Sequence, residues 1–195
     1  TKIEGIDSKN WWRYEWLELY NNSSQSVSLE NWKLEFYRAD LDWTLELKGA
    51  VPAQSYFLIV ASDKIFADYD FNYANLGGKL NNIGQKILLK NSLGDIVDEV
   101  DCYAGSEWWA GDNQTKQTME RKSIREPGSS SSNWQTSQNA GGTPKIKNSG
   151  QAVIVPPVIE PAAEPEHQLN AEPELLLPEK SQPAITYASN VFINE

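Results

Sequence analysis

The sequence predicts an all-β fold, a sandwich or a barrel, and three observations carry that reading. Short apolar runs recur along the first 120 residues with Gly, Pro and Asn between them. Within the runs apolar and polar residues alternate with period two, the pattern of a half-buried strand, and no long helical periodicity interrupts them. All eight Trp lie between Trp11 and Trp134, whereas seven of the ten Pro lie after residue 150, which separates a core-forming part from a tail.

The first strand is predicted over Tyr14–Tyr20 and stops at the polar turn Asn21-Asn22-Ser23-Ser24. Trp32, Leu34 and Phe36 alternate with Lys33, Glu35 and Tyr37, and Trp43, Leu45 and Leu47 repeat the pattern before Gly49 and Pro52 break it. Tyr56–Val60 is continuously apolar, as expected of a central strand covered on both faces. Ser62-Asp63 is placed to cap one or two helical turns through Phe66. Gln85–Lys90 and Asp95–Val100, joined by Asn91-Ser92-Leu93-Gly94, read as a hairpin, and Thr115–Arg121 as a late strand.

Composition bounds the function. Hydrophobic residues make up 39% and aromatics 11% of the chain, enough for a packed core. The net charge of −10 opposes phosphate binding and argues against a nucleic-acid partner, although Arg121, Lys122 and Arg125 cluster at what reads as a solvated strand end. Residues 151–195 hold one Lys against seven Glu. Cys102 is the only cysteine, which excludes a disulfide framework and a cysteine metal site and suits a structural position near a strand. No apolar run is long enough to span a bilayer.

The run Glu15-Trp16-Leu17-Glu18-Leu19-Tyr20-Asn21, followed at a distance by Met119-Glu120-Arg121, Trp134-Gln135-Thr136-Ser137 and Gly142-Thr143-Pro144, resembles the bacterial form of the lamin tail domain family. The resemblance implies an immunoglobulin-like β-sandwich over about the first 145 residues, and an interaction or tethering module rather than an enzyme. It also implies an extracellular or cell-envelope setting within a larger, multidomain protein. The family positions Glu15, Trp16, Glu18, Leu19, Tyr20, Asn21, Met119, Glu120, Arg121, Trp134, Gly142, Thr143 and Pro144 are expected to be structural. Glu120 and Arg121 are expected to fix a loop as an oppositely charged pair, and Trp134 to pack against the sandwich end.

The resulting division is a sandwich over residues 1–148, an acidic Pro-rich linker over 149–184, and a strand-like end over 185–195. In the family an Ile-Asn-Glu strand stands just before the Glu-Trp strand. Here Ile193-Asn194-Glu195 stands at the other end of the sequence. Either the chain is a slice from a tandem array, with a neighbouring domain, or this strand folds back or swaps to complete the sandwich; the agreement of the two ends favours the slice.

Candidate ligand contacts are the Trp pairs Trp11-Trp12 and Trp108-Trp109, in polar or loop-like surroundings where exposed indoles stack on sugars or on a protein partner. Packing over the sandwich end is the competing reading and the preferred one. Glu15 and Glu18, three apart on a strand, point to opposite faces and cannot act together on one bond. Asp95, Asp98 and Asp101, like Asp63, Asp68 and Asp70, lack the spacing of a calcium loop and read as solvated acidic surface. The sole histidine, His167, falls in the linker, so no His-based triad or metal cluster is expected, and no cofactor.

Overall fold

The computed structural model describes residues 12–64, 66–73, 80–103, 107–150 and 190–195. Twelve strands are present among them: β1 (Trp16–Asn21), β2 (Val27–Ser28), β3 (Lys33–Tyr37), β4 (Leu41–Glu46), β5 (Ala50–Val51), β6 (Ser55–Val60), β7 (Phe71–Asn72), β8 (Lys86–Lys90), β9 (Ile96–Asp101), β10 (Gln117–Arg121), β11 (Trp134–Ala140) and β12 (Val191–Ile193). Two four-stranded sheets, ordered β12-β1-β6-β7 and β4-β3-β8-β9, form the sandwich, with the small pairs β10-β11 and β2-β5 beside them. Every pairing is antiparallel except β6 with β7. The architecture is the all-β, immunoglobulin-like sandwich expected from the sequence. Among the described residues no helix is long and apolar enough to cross a membrane.

One cluster forms the core between the sheets. Leu17 and Leu19 of β1, Phe57 and Ile59 of β6, and Val191 and Ile193 of β12 meet Leu34 and Phe36 of β3 and Ile87 and Leu89 of β8. A second, smaller cluster of Trp16, Leu58 and Val60, with Phe66 against it, lies on the other face of β1 and β6. The continuous apolar run of β6 is thus covered on both faces, as its sequence requires. Trp32 and Trp134 join the main core, while Trp43 is half-buried and stacks on Phe36 at 4.1 Å between ring centroids.

Two expectations are corrected. Ser62-Asp63 opens a turn and not a helix, although the Ser62 hydroxyl does accept the Lys64 amide as a cap would. Trp134-Gln135-Thr136-Ser137 opens strand β11, the partner of β10, in addition to packing Trp134 inward. Of the two places open to the terminal strand, a neighbouring domain or this sandwich, β12 pairs here with β1 of the same chain, Leu19 opposite Ile193, Tyr20 opposite Phe192 and Asn21 opposite Val191. Such a three-residue strand holds its place only through strong contacts, which lead to the polar interior.

Candidate functional site

Polar residues widely separated in sequence meet around the end of β12. Glu18 is fully buried in the middle of β1, facing the same way as Trp16. Its backbone N–H donates to Glu195 O (2.8 Å), and its backbone O accepts Asn194 N–H (2.8 Å). Its carboxyl accepts the Lys145 N–H on Oε2 (2.5 Å) and the Asn194 side-chain amide on Oε1 (2.9 Å). The loop after β11 supplies that lid. Gly142, at a φ of 72°, turns it so closely that an added Cβ would fall onto the Glu195 carboxyl and the Thr118 hydroxyl. Glycine is required there on both counts.

Thr143 stands at the centre. Its N–H donates to Glu195 Oε1 (3.2 Å), and its hydroxyl lies 2.9 Å from Glu120 Oε1 and 3.1 Å from Glu195 Oε2. One hydroxyl has one proton to give, so both contacts are hydrogen bonds only when one of the two acids carries a proton of its own. The second oxygen of Glu120 accepts the Ser149 N–H (3.0 Å) and hydroxyl (2.5 Å). Asn148 donates to Arg121 O (2.9 Å) and accepts from the Asn194 amide (2.8 Å).

The acids respond to this enclosure. Burial pushes the Glu18 carboxyl up from an ordinary 4.5 to about 8, against the pull of its bonds from Lys145 and Asn194 and with help from the charges of Glu195 and Asp70. Glu195 rises to about 7, again chiefly through burial, with the Glu120 charge adding to it. Near neutral pH these groups hold protons that the same residues in water would have released.

Beside this cluster lies a buried ion pair. Arg121 Nη1 is 2.5 Å from Asp98 Oδ2 on β9, with both side chains at most 3% exposed. Nη1 also donates to Ile193 O (3.1 Å), Nη2 to Glu126 O (2.7 Å) and Nε to Ser123 O (3.2 Å). Asp98 Oδ2 accepts the Ile193 N–H as well (2.9 Å), so the pair grips β12 at both its amide and its carbonyl. The guanidinium sits over Phe192 at 5.3 Å and the Trp134 ring at 5.9 Å. Trp134 is fixed by its indole N–H to Gly128 O (2.7 Å).

Two sequence expectations change here. Glu120 and Arg121 do not form a pair, because neighbours on a strand face apart; each holds a different loop, Glu120 the one at 143–149 and Arg121 the one at 123–126. Arg121 and Asp98 are interior groups, not the solvated charges expected of them. Among the other family positions, Leu19 lies in the core and the Tyr20 ring packs at a tilt against Tyr56, 4.9 Å between centroids. The Asn21 amide donates to Gln25 O, Val51 O and Pro52 O, closing the turn after β1. Glu15 accepts the Leu80 N–H (3.2 Å), and Met119 packs against the core from β10. Pro144 is half-buried beside Thr143.

The tryptophans proposed as ligand contacts are placed differently. Trp11 lies outside the described residues. Trp12, Trp108 and Trp109 are half-buried with their rings against the core, and the Trp108 indole donates to Asn81 O (2.7 Å). Cys102 is fully buried, and burial pushes its thiol up to about 11. Among the described residues no group of three His, Cys, Asp or Glu side chains is arranged to hold a metal ion.

The family model described as Lamin Tail Domain matches residues 2–104, just over half of the chain. No curated protein matches it significantly. The matched span contains β1 and Asp98, while Glu120, Arg121, Thr143 and the β12 residues come to them from beyond it.

Proposed function

The chain belongs to the lamin tail domain family, a non-enzymatic family of immunoglobulin-like sandwiches, and on that footing we propose that it is an interaction and tethering module of a larger exported or cell-surface protein. The observation that supports this most directly is how its polar residues are used. Glu18, Glu120, Arg121 and Thr143 are buried and bonded to backbone or to one another, and the acids serve the frame and not a cleft. Hydrolytic or transfer chemistry needs a nucleophile or base facing a site that substrate can enter. The buried thiol of Cys102, pushed up by its surroundings, lacks the thiolate character of a reactive cysteine.

The alternative is a carbohydrate-binding sandwich that uses Trp12, Trp108 and Trp109. Their packing against the core, and the bond from Trp108 to Asn81 O, favour a structural role, yet each keeps part of its surface exposed. Tryptophan fluorescence of the folded protein, titrated with cell-wall and plant-type glycans, separates the two. Silence across the panel is expected. A saturable shift, lost in W108A and W109A variants that remain folded, would establish the sugar module instead. Nucleic acid is the weakest option, given the net charge of −10, and a flat gel-shift titration at low salt is expected.

A further inference from the structure

The described residues between 12 and 150 form a slot around β12 and the two residues that follow it. β1 supplies the backbone edge, Asp98 and Arg121 take the amide and carbonyl of Ile193, and Asn22 N–H donates to Asn190 O (2.7 Å). Arg121 N–H reaches across from β10 to Asn194 O (3.0 Å), so the strand is held from both sides. Val191 and Ile193 enter the core, and Asn194 and Glu195 dock into the polar cluster. We propose that this slot accepts Val191–Glu195 from a second copy of the chain, so that copies are joined by exchanging their terminal strands.

Each contact just named lies between residues 190–195 and residues before 150, with the whole of residues 151–189 between them in sequence. No bond in the slot depends on which copy supplies the strand. An exchanged dimer therefore re-forms the same contacts, and the two arrangements differ only through the connection. Closing a long loop costs entropy that grows only slowly with its length. Exchange is thus set by chain concentration, and it would be strong wherever copies are held close together. The inference deepens the tethering reading by naming a partner, a second copy, and rests on it only for its biological use.

The test uses the full chain, refolded from denaturant at concentrations from about a micromolar to about a millimolar, then diluted and weighed by light scattering. A dimer fraction that rises with refolding concentration, and that vanishes in I193D, is the expected result. Monomer at every concentration, or dimers that persist in I193D, would overturn it. I193D puts an unpaired acid into the apolar core and leaves the slot without a competent strand. A labelled peptide spanning Ser189–Glu195 is therefore added to that variant during refolding. Saturable uptake supports the proposal, with the same peptide carrying I193D roughly a hundredfold weaker; absence of uptake refutes it whether or not I193D folds alone. Glycan binding in the fluorescence titration would overturn the tethering reading and leave this result standing, so the two failures are distinguishable.

Discussion

Replacing Glu195 by Gln removes one ionisable group from the buried acid cluster while preserving its bonds. The amide oxygen takes the place of Oε1, accepting the Thr143 N–H and the Thr118 hydroxyl. The amide nitrogen takes the place of Oε2 and donates to the Thr143 hydroxyl, whose own proton then goes to Glu120. In the wild type this arrangement exists only when Glu195 is protonated. Its folded-state pKa of about 7 stands above the unfolded 4.5, so folding takes up a proton at any pH between the two. Stability from this group is then fully present below 4.5, falls as pH rises, and levels off once pH passes the folded value. Glu18, raised to about 8, has the same sign and extends the decline. Glu35 and Asp112 are lowered, chiefly by hydrogen bonds to Lys90 and to the Gln114 amide, and titrate beneath this window.

At about 1.4 kcal/mol per pKa unit, the Glu195 shift corresponds to at most about 3 kcal/mol lost between pH 4.5 and 8. E195Q should restore about 1–3 kcal/mol at pH 8 and change little at pH 4.5, which flattens the profile and leaves the slope due to Glu18 and to Asp98, whose carboxyl burial also raises. Urea unfolding followed by tryptophan emission at pH 4.5, 6 and 8 measures it. A variant less stable than wild type at pH 8, or an unchanged slope between pH 4.5 and 8, would refute the reasoning.

Other substitutions probe the same frame. R121A leaves Asp98 buried without its partner and takes the guanidinium bond from Ile193 O, while Ser123 O and Glu126 O keep the Asn133 amide; a loss of about 3–5 kcal/mol is expected in urea titration. G142A and G94A both place alanine at positive φ, but only Gly142 meets neighbours; G94A should cost about 1 kcal/mol and G142A several times more, with loss of amide protection at Ile193 in hydrogen exchange. N21A takes the side-chain amide from Gln25 O, Val51 O and Pro52 O and frees the turn after β1, for an expected loss of about 1–3 kcal/mol in the same titration.

Strands with an apolar face were legible in the sequence. β1, β3, β4, β6 and the β8–β9 hairpin alternate or run apolar, and their bounds fall within a residue or two of the expected ones. β2, β5 and β7 contain two residues each, too few for any period to register. β11 was hidden because Trp134 is its only large apolar residue and the rest reads as a polar loop. The same limitation concealed the interior. A charged residue in isolation reads as solvent-facing, since burying it unpaired costs several kcal/mol, and pairing across a fold cannot be read from local pattern. Asp98 gave one local signal: it lies between Val97 and Val100 in a strand whose partner is apolar from Ile87 to Leu89. The resemblance marked Glu18, Glu120, Arg121 and Thr143 as important positions, but not that they would meet.

A polar latch does for β12 what apolar contacts alone could not. A three-residue strand with Val, Phe and Ile in succession has apolar groups on both faces, and a slip of one residue would still bury some of them. Seated as observed, Val191 and Ile193 fill the core and Phe192 lies under the Arg121 guanidinium. After a slip, Phe192 would be driven into the core. Asn194 would leave Glu18 and Asn148, and Glu195 would leave Thr143, stranding buried donors and acceptors that each cost about 1–3 kcal/mol. The acids hold the register because they are expensive to bury unpaired, and their raised pKa values follow from that same burial. An apolar substitute at Glu18 or Glu195 would ease the burial and remove the discrimination, so a strand chosen by its sequence needs these hydrogen-bonding acids inside.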